Sequence, residues 1–129
     1  MSLSRILAFS LVIGALPAAA WAQEGDATAG MEVFKKCMPC HNADNDKAKV
    51  GPSLHGVIGR QPGTVAGYKY SNAMVEFGQG KVWDDALLKA YLPNPRGLVK
   101  GTKMSFPGLK NDADIVNVIA YLKQVSAAK

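Results

Sequence analysis

The clearest periodicity in the chain lies near its end, where Ile115, Val118, Ile119, Leu122 and Val125 recur at helical spacing. Asn111 or Asp112 stands where an N-cap belongs. A second amphipathic segment carries Leu87, Leu88 and Tyr91 on one side, opens with Asp84 and Asp85, and is stopped by Pro93. A third runs from about Thr28 into the Cys37 region, with Val33 and Phe34 on its buried face. Between these, Gly51, Pro52, Gly56, Gly59, Pro62, Gly63 and Gly67 leave no room for a regular element longer than a turn or two. Ser71 could then cap a short helix ending near Gly78. No run of alternating apolar residues predicts a sheet, so the fold class is all-α with long loops. Loops of that length in a compact domain need something to hold them, and a large bound cofactor would do so.

The chain has 129 residues, about one domain. Its first segment is of another kind: Arg5, an apolar run from Ile6 to Leu16, then small residues closing with Ala20-Trp21-Ala22. That is the pattern of a secretory signal, with cleavage expected after Ala22. A retained membrane anchor is the competing reading, but Gly14 and Pro17 leave the uninterrupted run short of the roughly 20 residues a span needs. The expected organisation is therefore a cleaved signal at 1–22 and a single domain at 23–129, exported to the periplasm if the host is Gram-negative. Fifteen Lys plus Arg against 10 Asp plus Glu give a net charge of +5. Export and the lack of interleaved aromatic platforms argue against nucleic acid as the reason for that charge.

Two cysteines are too few for a disulfide-stapled scaffold, but they stand in Cys37-Met38-Pro39-Cys40-His41, the c-type haem attachment motif. On a helical turn Cys37, Cys40 and His41 fall at i, i+3 and i+4 and project to one side. Two thiols can then add across the haem vinyl groups while the adjacent imidazole reaches the iron. The second imidazole nitrogen needs a fixed hydrogen bond, for which Pro52 offers a carbonyl. Three other readings compete: a thioredoxin-like pair without its strand and helix context, a zinc site adding His55, and a structural disulfide.

A sixth ligand must come from elsewhere. Met104 lies in Gly101-Thr102-Lys103-Met104-Ser105-Phe106, a loop between helices, where a thioether can reach iron without belonging to an apolar stripe. Met74 reads as packing, and His55, among glycines and Pro52, as structural or exposed. Ligation by His and Met closes the iron and raises its potential, which favours electron transfer over peroxide or oxygen chemistry. A peroxidase-like enzyme and a thiol oxidoreductase stand as the enzymatic alternatives.

At these residues the sequence resembles class I cytochrome c, of the short bacterial cytochrome c2 type that looks like the mitochondrial protein. The resemblance runs from Gly30 and Phe34 through the Cys37 motif, Gly51-Pro52-Ser53-Leu54-His55-Gly56, Gly59-Arg60, Gly67-Tyr68-Lys69-Tyr70, Trp83, Tyr91-Leu92 and the Met104 loop to Ile119-Ala120-Tyr121-Leu122. It implies three to five helices wrapped with long loops around one haem c, attached through Cys37 and Cys40, with His41 and Met104 on the iron. By the same resemblance Pro52 presents its carbonyl to His41, while Arg60, Tyr70 and Trp83 surround the haem propionates. Tyr91 lends its hydroxyl to the Met104 sulfur, Phe106 covers the haem on that side, and Gly30 lets the first and last helices meet near Tyr121. The chain departs from the family where Lys100 replaces a common proline and Met74 a common asparagine, which leaves the tightness of the Met104 loop and the potential open.

Lys35 and Lys36 flank the attachment motif, and Lys100, Lys103 and Lys110 flank the Met104 loop. A ring of cations at one haem edge would steer the protein to acidic docking surfaces. The function expected is a soluble periplasmic monohaem electron carrier, monomeric and not an enzyme. Its partners would be a cytochrome bc1 complex with a terminal oxidase or photosynthetic reaction centre, or a periplasmic dehydrogenase.

Overall fold

The computed structural model describes residues 24–128, so the expected signal at 1–22 lies outside the described residues. Five helices follow one another: α1 (Ala27–Phe34), α2 (Asn72–Phe77), α3 (Asp85–Tyr91), α4 (Pro95–Leu98) and α5 (Asp112–Ala127). No strand occurs among the described residues, as the absence of alternating patterns predicts.

Each helix begins at a polar cap that accepts backbone N–H groups otherwise left without partners. Asp26 caps α1, accepting from Thr28 and Ala29 at 2.8 and 3.2 Å. Ser71 caps α2 and Asp84 caps α3. Asn111, rather than Asp112, caps α5 through the N–H groups of Ala113 and Asp114. Helix α4 was not foreseen. Asn94 caps it by accepting from Gly97 at 3.0 Å, and Pro95 occupies its first turn, where a missing N–H costs nothing.

Helix α1 ends at Phe34, earlier than the expected run into the Cys37 region. Pro39 supplies the reason: it has no N–H to give to Lys35 and disfavours helical geometry at Met38. The chain continues instead as tight turns, with Cys37 and Met38 both donating to the Phe34 carbonyl at 2.7 and 3.1 Å.

Helices α1 and α5 pack directly together. A Cβ on Gly30 would lie 1.9 Å from the Asn117 carbonyl oxygen, so only glycine permits this approach. Beside it the Asn117 side chain accepts the Asp26 N–H at 2.9 Å, and the Phe34 and Tyr121 rings sit 5.2 Å apart. Phe34, Val118, Ile119 and Leu122 are buried there. Residues 41–70 contain no helix and are fixed by long-range bonds. Gly59 donates to the Trp83 carbonyl, Trp83 to the Arg60 carbonyl, and Ile58 to the Ser126 hydroxyl. This loop layer and the helices together wall a large cavity.

Candidate functional site

The cavity has a volume of about 320 Å³ and walls that are mostly apolar, within the ~300–1,000 Å³ range of cofactor sites. Cys37, Cys40, His41, Arg60, Tyr70 and Met104 all contribute to its lining.

One turn delivers the first three. Cys40 and His41 both donate to the Cys37 carbonyl, at 3.1 and 2.9 Å, and Gly51 donates to the Cys40 carbonyl at 2.8 Å. The His41 ring is buried, and its Nδ1 donates to the Pro52 carbonyl at 2.7 Å. That bond fixes the tautomer and leaves Nε2 as the nitrogen with a lone pair. Burial holds the His41 pKa below its ordinary value despite the Pro52 bond, with Arg60 and Lys49 adding to the lowering, so the ring is a neutral donor at neutral pH. Gly51 lies against this imidazole, where a Cβ would come within 2.4 Å of Cε1.

The two cysteines are not joined to each other. Burial pushes the Cys37 thiol up to about 11 against the pull of Lys36, with Cys40 adding to the rise. Thiol redox motifs need the opposite shift, toward the thiolate, so the thioredoxin-like reading loses its chemistry here. No group of three or more His, Cys, Asp or Glu able to hold a metal ion occurs among the described residues. His55, the fourth ligand of the zinc reading, pairs instead with Asp46 at 3.0 Å and does not line the cavity.

Met104 is half-buried in its loop, and the Tyr91 hydroxyl donates to its sulfur at 3.2 Å. The Met104 N–H in turn donates to the Thr102 hydroxyl at 3.2 Å. Tyr91 is buried edge-on to Trp83, ring centroids 4.9 Å apart, and burial pushes its phenol up to about 12 although a Thr102 hydrogen bond acts the other way. Phe106 lines the cavity beside Met104. Met74, buried on α2, also reaches the wall.

Arg60 donates to the Ser53 and His55 carbonyls at 2.8 and 3.2 Å, so it is a fixed group and not a solvated cation. A guanidinium has five N–H donors, and those left over can meet a carboxylate. Burial lowers the Arg60 pKa, opposed by Tyr70 and Asp46. The Tyr70 hydroxyl accepts the Val65 N–H at 3.2 Å, leaving its own hydrogen to donate. Trp83 is buried beside them.

Every residue singled out from the sequence for this site thus lies at one cavity or on its support. The sequence reading assigned no role to Thr102 or to Tyr68, whose hydroxyl donates to the Val50 carbonyl. The Tyr68 bond joins segments distant in the chain, and no spacing signals it.

The donor set fits haem c. It offers a neutral imidazole nitrogen and a thioether for iron, two thiols for the vinyl groups, apolar walls for the ring, and an arginine with a phenol for carboxylates. Comparison with known proteins agrees. A family model described as cytochrome c matches residues 27–126. Cytochrome c2 iso-2 of Magnetospirillum fulvum is 48% identical over 92 residues, covering 71% of this chain and 94% of that protein. Cytochrome c2 of Rhodoblastus acidophilus is 47% identical over 104 residues, covering 80% and 95%. The solved structure of cytochrome cH from Methylobacterium extorquens superposes with a TM-score of 0.72 at 44% identity, covering 78% of this chain and 99% of that one. The chain belongs to the cytochrome c family, holds haem c covalently through Cys37 and Cys40, and is an electron carrier.

Proposed function

We infer that His41 and Met104 would hold the haem iron and that the protein is a soluble periplasmic shuttle without substrate turnover. The observation that carries this reading is the pair of oriented donors at one cavity: His41 fixed by Pro52, and the Met104 sulfur fixed by Tyr91. Bound haem supplies a reversible one-electron change at iron. The protein supplies the rest. Pro52 keeps the imidazole in one tautomer, Tyr91 and Thr102 hold the thioether in place, and the apolar walls exclude water from both ligands. Arg60 and Tyr70 offer donors to the propionates, which would be costly to bury unpaired. With His41 and Met104 both holding the iron, the haem would supply electron transfer and leave no place for a substrate on the metal.

Export places the protein beside membrane redox complexes, and no helix among the described residues is long and apolar enough to cross a membrane. We assign residues 1–22 to the removed signal and 23–129 to the functional domain. The docking surface is the cationic rim, which would meet acidic faces on a cytochrome bc1 complex and a terminal oxidase or reaction centre, or on a periplasmic dehydrogenase. Lys36 and Lys103 line the cavity itself, and Lys35, Lys100 and Lys110 are exposed.

The test is an optical spectrum of protein exported from cells with haem-attachment machinery, before and after acid-acetone extraction. Retained haem, with a weak long-wavelength ferric band of sulfur-to-iron ligation that vanishes in Met104→Ala, is the expected result. The same variant should have a lower potential and acquire peroxidase activity that the wild type lacks. A band that survives in Met104→Ala, or wild-type peroxidase activity equal to the variant's, would overturn the ligand assignment.

A further inference from the structure

Residues 67–70 touch both the loop that follows His41 and the loop that carries Met104. The Tyr68 hydroxyl donates to the Val50 carbonyl at 2.9 Å, in the loop that follows His41. One residue on, the Lys69 carbonyl accepts from Lys103 Nζ at 3.0 Å, beside Met104. Tyr68 is braced edge-on against Tyr70, centroids 4.7 Å apart, and Tyr70 is fixed by the Val65 N–H. Tyr68, Tyr70, Val50 and Lys103 all line the cavity.

The loop that Tyr68 meets is held by polar contacts. Residues 46–50 are exposed throughout, and Val50 is 76% exposed, so no apolar side chain anchors the end of this loop. Its position depends on hydrogen bonds: Asn42 to the Lys47 carbonyl, Lys49 Nζ to the Met38 carbonyl, the Lys49 N–H to the Gly51 carbonyl, Asp46 with His55, and, next to Val50, Gly51 to the Cys40 carbonyl, which makes the Val50 carbonyl a firm partner for Tyr68. The Met104 loop is similarly extended, with Lys100, Gly101, Lys103 and Ser105 exposed and Met104 only half-buried.

We propose that residues 67–70 are a strap in which Tyr68 is a positioning residue for Met104. The two bonds act in series: Tyr68 fixes the strap to the His41 side, and the Lys69 carbonyl passes that fixation through Lys103 to the neighbouring thioether. Loss of the Tyr68 hydroxyl frees the strap, and Met104 leaves the iron more often. This rests on the reading of Met104 as a ligand.

The experiment is an imidazole titration of the ferric haem-loaded protein, because external imidazole binds only when Met104 has left. It is followed by the loss of the sulfur-to-iron band in wild type, Tyr68→Phe, Lys103→Ala and the double variant. Tyr68→Phe keeps the ring and its contact with Tyr70. It should tighten apparent imidazole binding about three- to tenfold, the span of one net hydrogen bond. In a series arrangement the double variant matches the stronger single variant, whereas independent effects multiply. Unchanged imidazole binding in Tyr68→Phe, with only a lower melting temperature, overturns the strap, as do multiplied effects. A wild-type band absent from the start would instead overturn the ligand assignment, so the two failures are distinct.

Discussion

The place where Gly51 would carry a side chain is taken by the His41 ring, with a Cβ only 2.4 Å from Cε1. Gly51→Ala should therefore displace the imidazole and destabilise the haem-loaded protein by about 1–3 kcal/mol, read as a lower denaturant midpoint. Tyr91 acts at the Met104 sulfur. Its hydrogen bond withdraws density from the Met104 sulfur, so Tyr91→Phe should lower the potential. The drop should be on the order of tens of millivolts, since a net hydrogen bond is worth about 0.5–1.5 kcal/mol and tenfold in a one-electron equilibrium is about 59 mV. The same phenol predicts a pH dependence. Burial raises its pKa from 10.0 to about 12, so below pH 10 the phenol is protonated in folded and unfolded chains alike and its contribution is complete. Between pH 10 and about 12 the unfolded chain gives up the proton first, and stability falls as pH rises. Thermal melts over that window should fall less steeply in Tyr91→Phe. At this scale Cys37, Cys40 and His41 were legible because attachment chemistry fixes their spacing. Tyr68 was not, because its partner at Val50 is brought to it only by the folded loops.

Among the elements, α5 carries the longest apolar face. Asn111 accepts two N–H groups there, so Asn111→Ala should cost about 1 kcal/mol and lower the melting temperature with the haem spectrum unchanged. The α1 and α5 contact is more demanding. A methyl group on Gly30 would run into backbone, the Asn117 carbonyl, which cannot rotate away as a side chain can. Gly30→Ala should force the helices apart and cost at least as much as ordinary overpacking, about 1–3 kcal/mol, measurable by denaturant unfolding. Helices α1, α2, α3 and α5 could be read from caps and apolar spacing because each buries one face. Helix α4 spans only Pro95–Leu98 and has no periodicity to read. Its one signal was Asn94 followed by Pro95, a cap and a first-turn proline. The early end of α1 follows from Pro39, a residue first read for its place in the attachment motif and only then for its effect on the helix.

Across the whole molecule, the charge pattern in the sequence and the field that a partner meets are different things. Lys35 and Lys36 flank the haem motif in sequence, yet Lys35 pairs with Glu32 at 2.6 Å and Lys36 lies 3.6 Å from Asp114. Each such pair presents almost no net charge beyond a Debye length of ~8–10 Å. Lys103 and Lys110 instead donate to backbone carbonyls, which carry no formal charge, so their positive charge is kept. Lys49 does the same at the Met38 carbonyl. Steering toward an acidic surface should therefore come mainly from Lys49, Lys100, Lys103 and Lys110, displaced from the lysines nearest the attachment motif. Charges superpose, so removing Lys35 alone would uncover Glu32 and mislead; the pair has to be removed together. Association with a purified cytochrome bc1 complex, followed against ionic strength, should be nearly unchanged in Glu32→Ala/Lys35→Ala. Lys100→Ala should slow it at low salt and flatten its salt dependence, with the two proteins converging as salt screens the field. Equal slowing in both variants would mean that the pair opens on docking and that its lysine is spent on the partner.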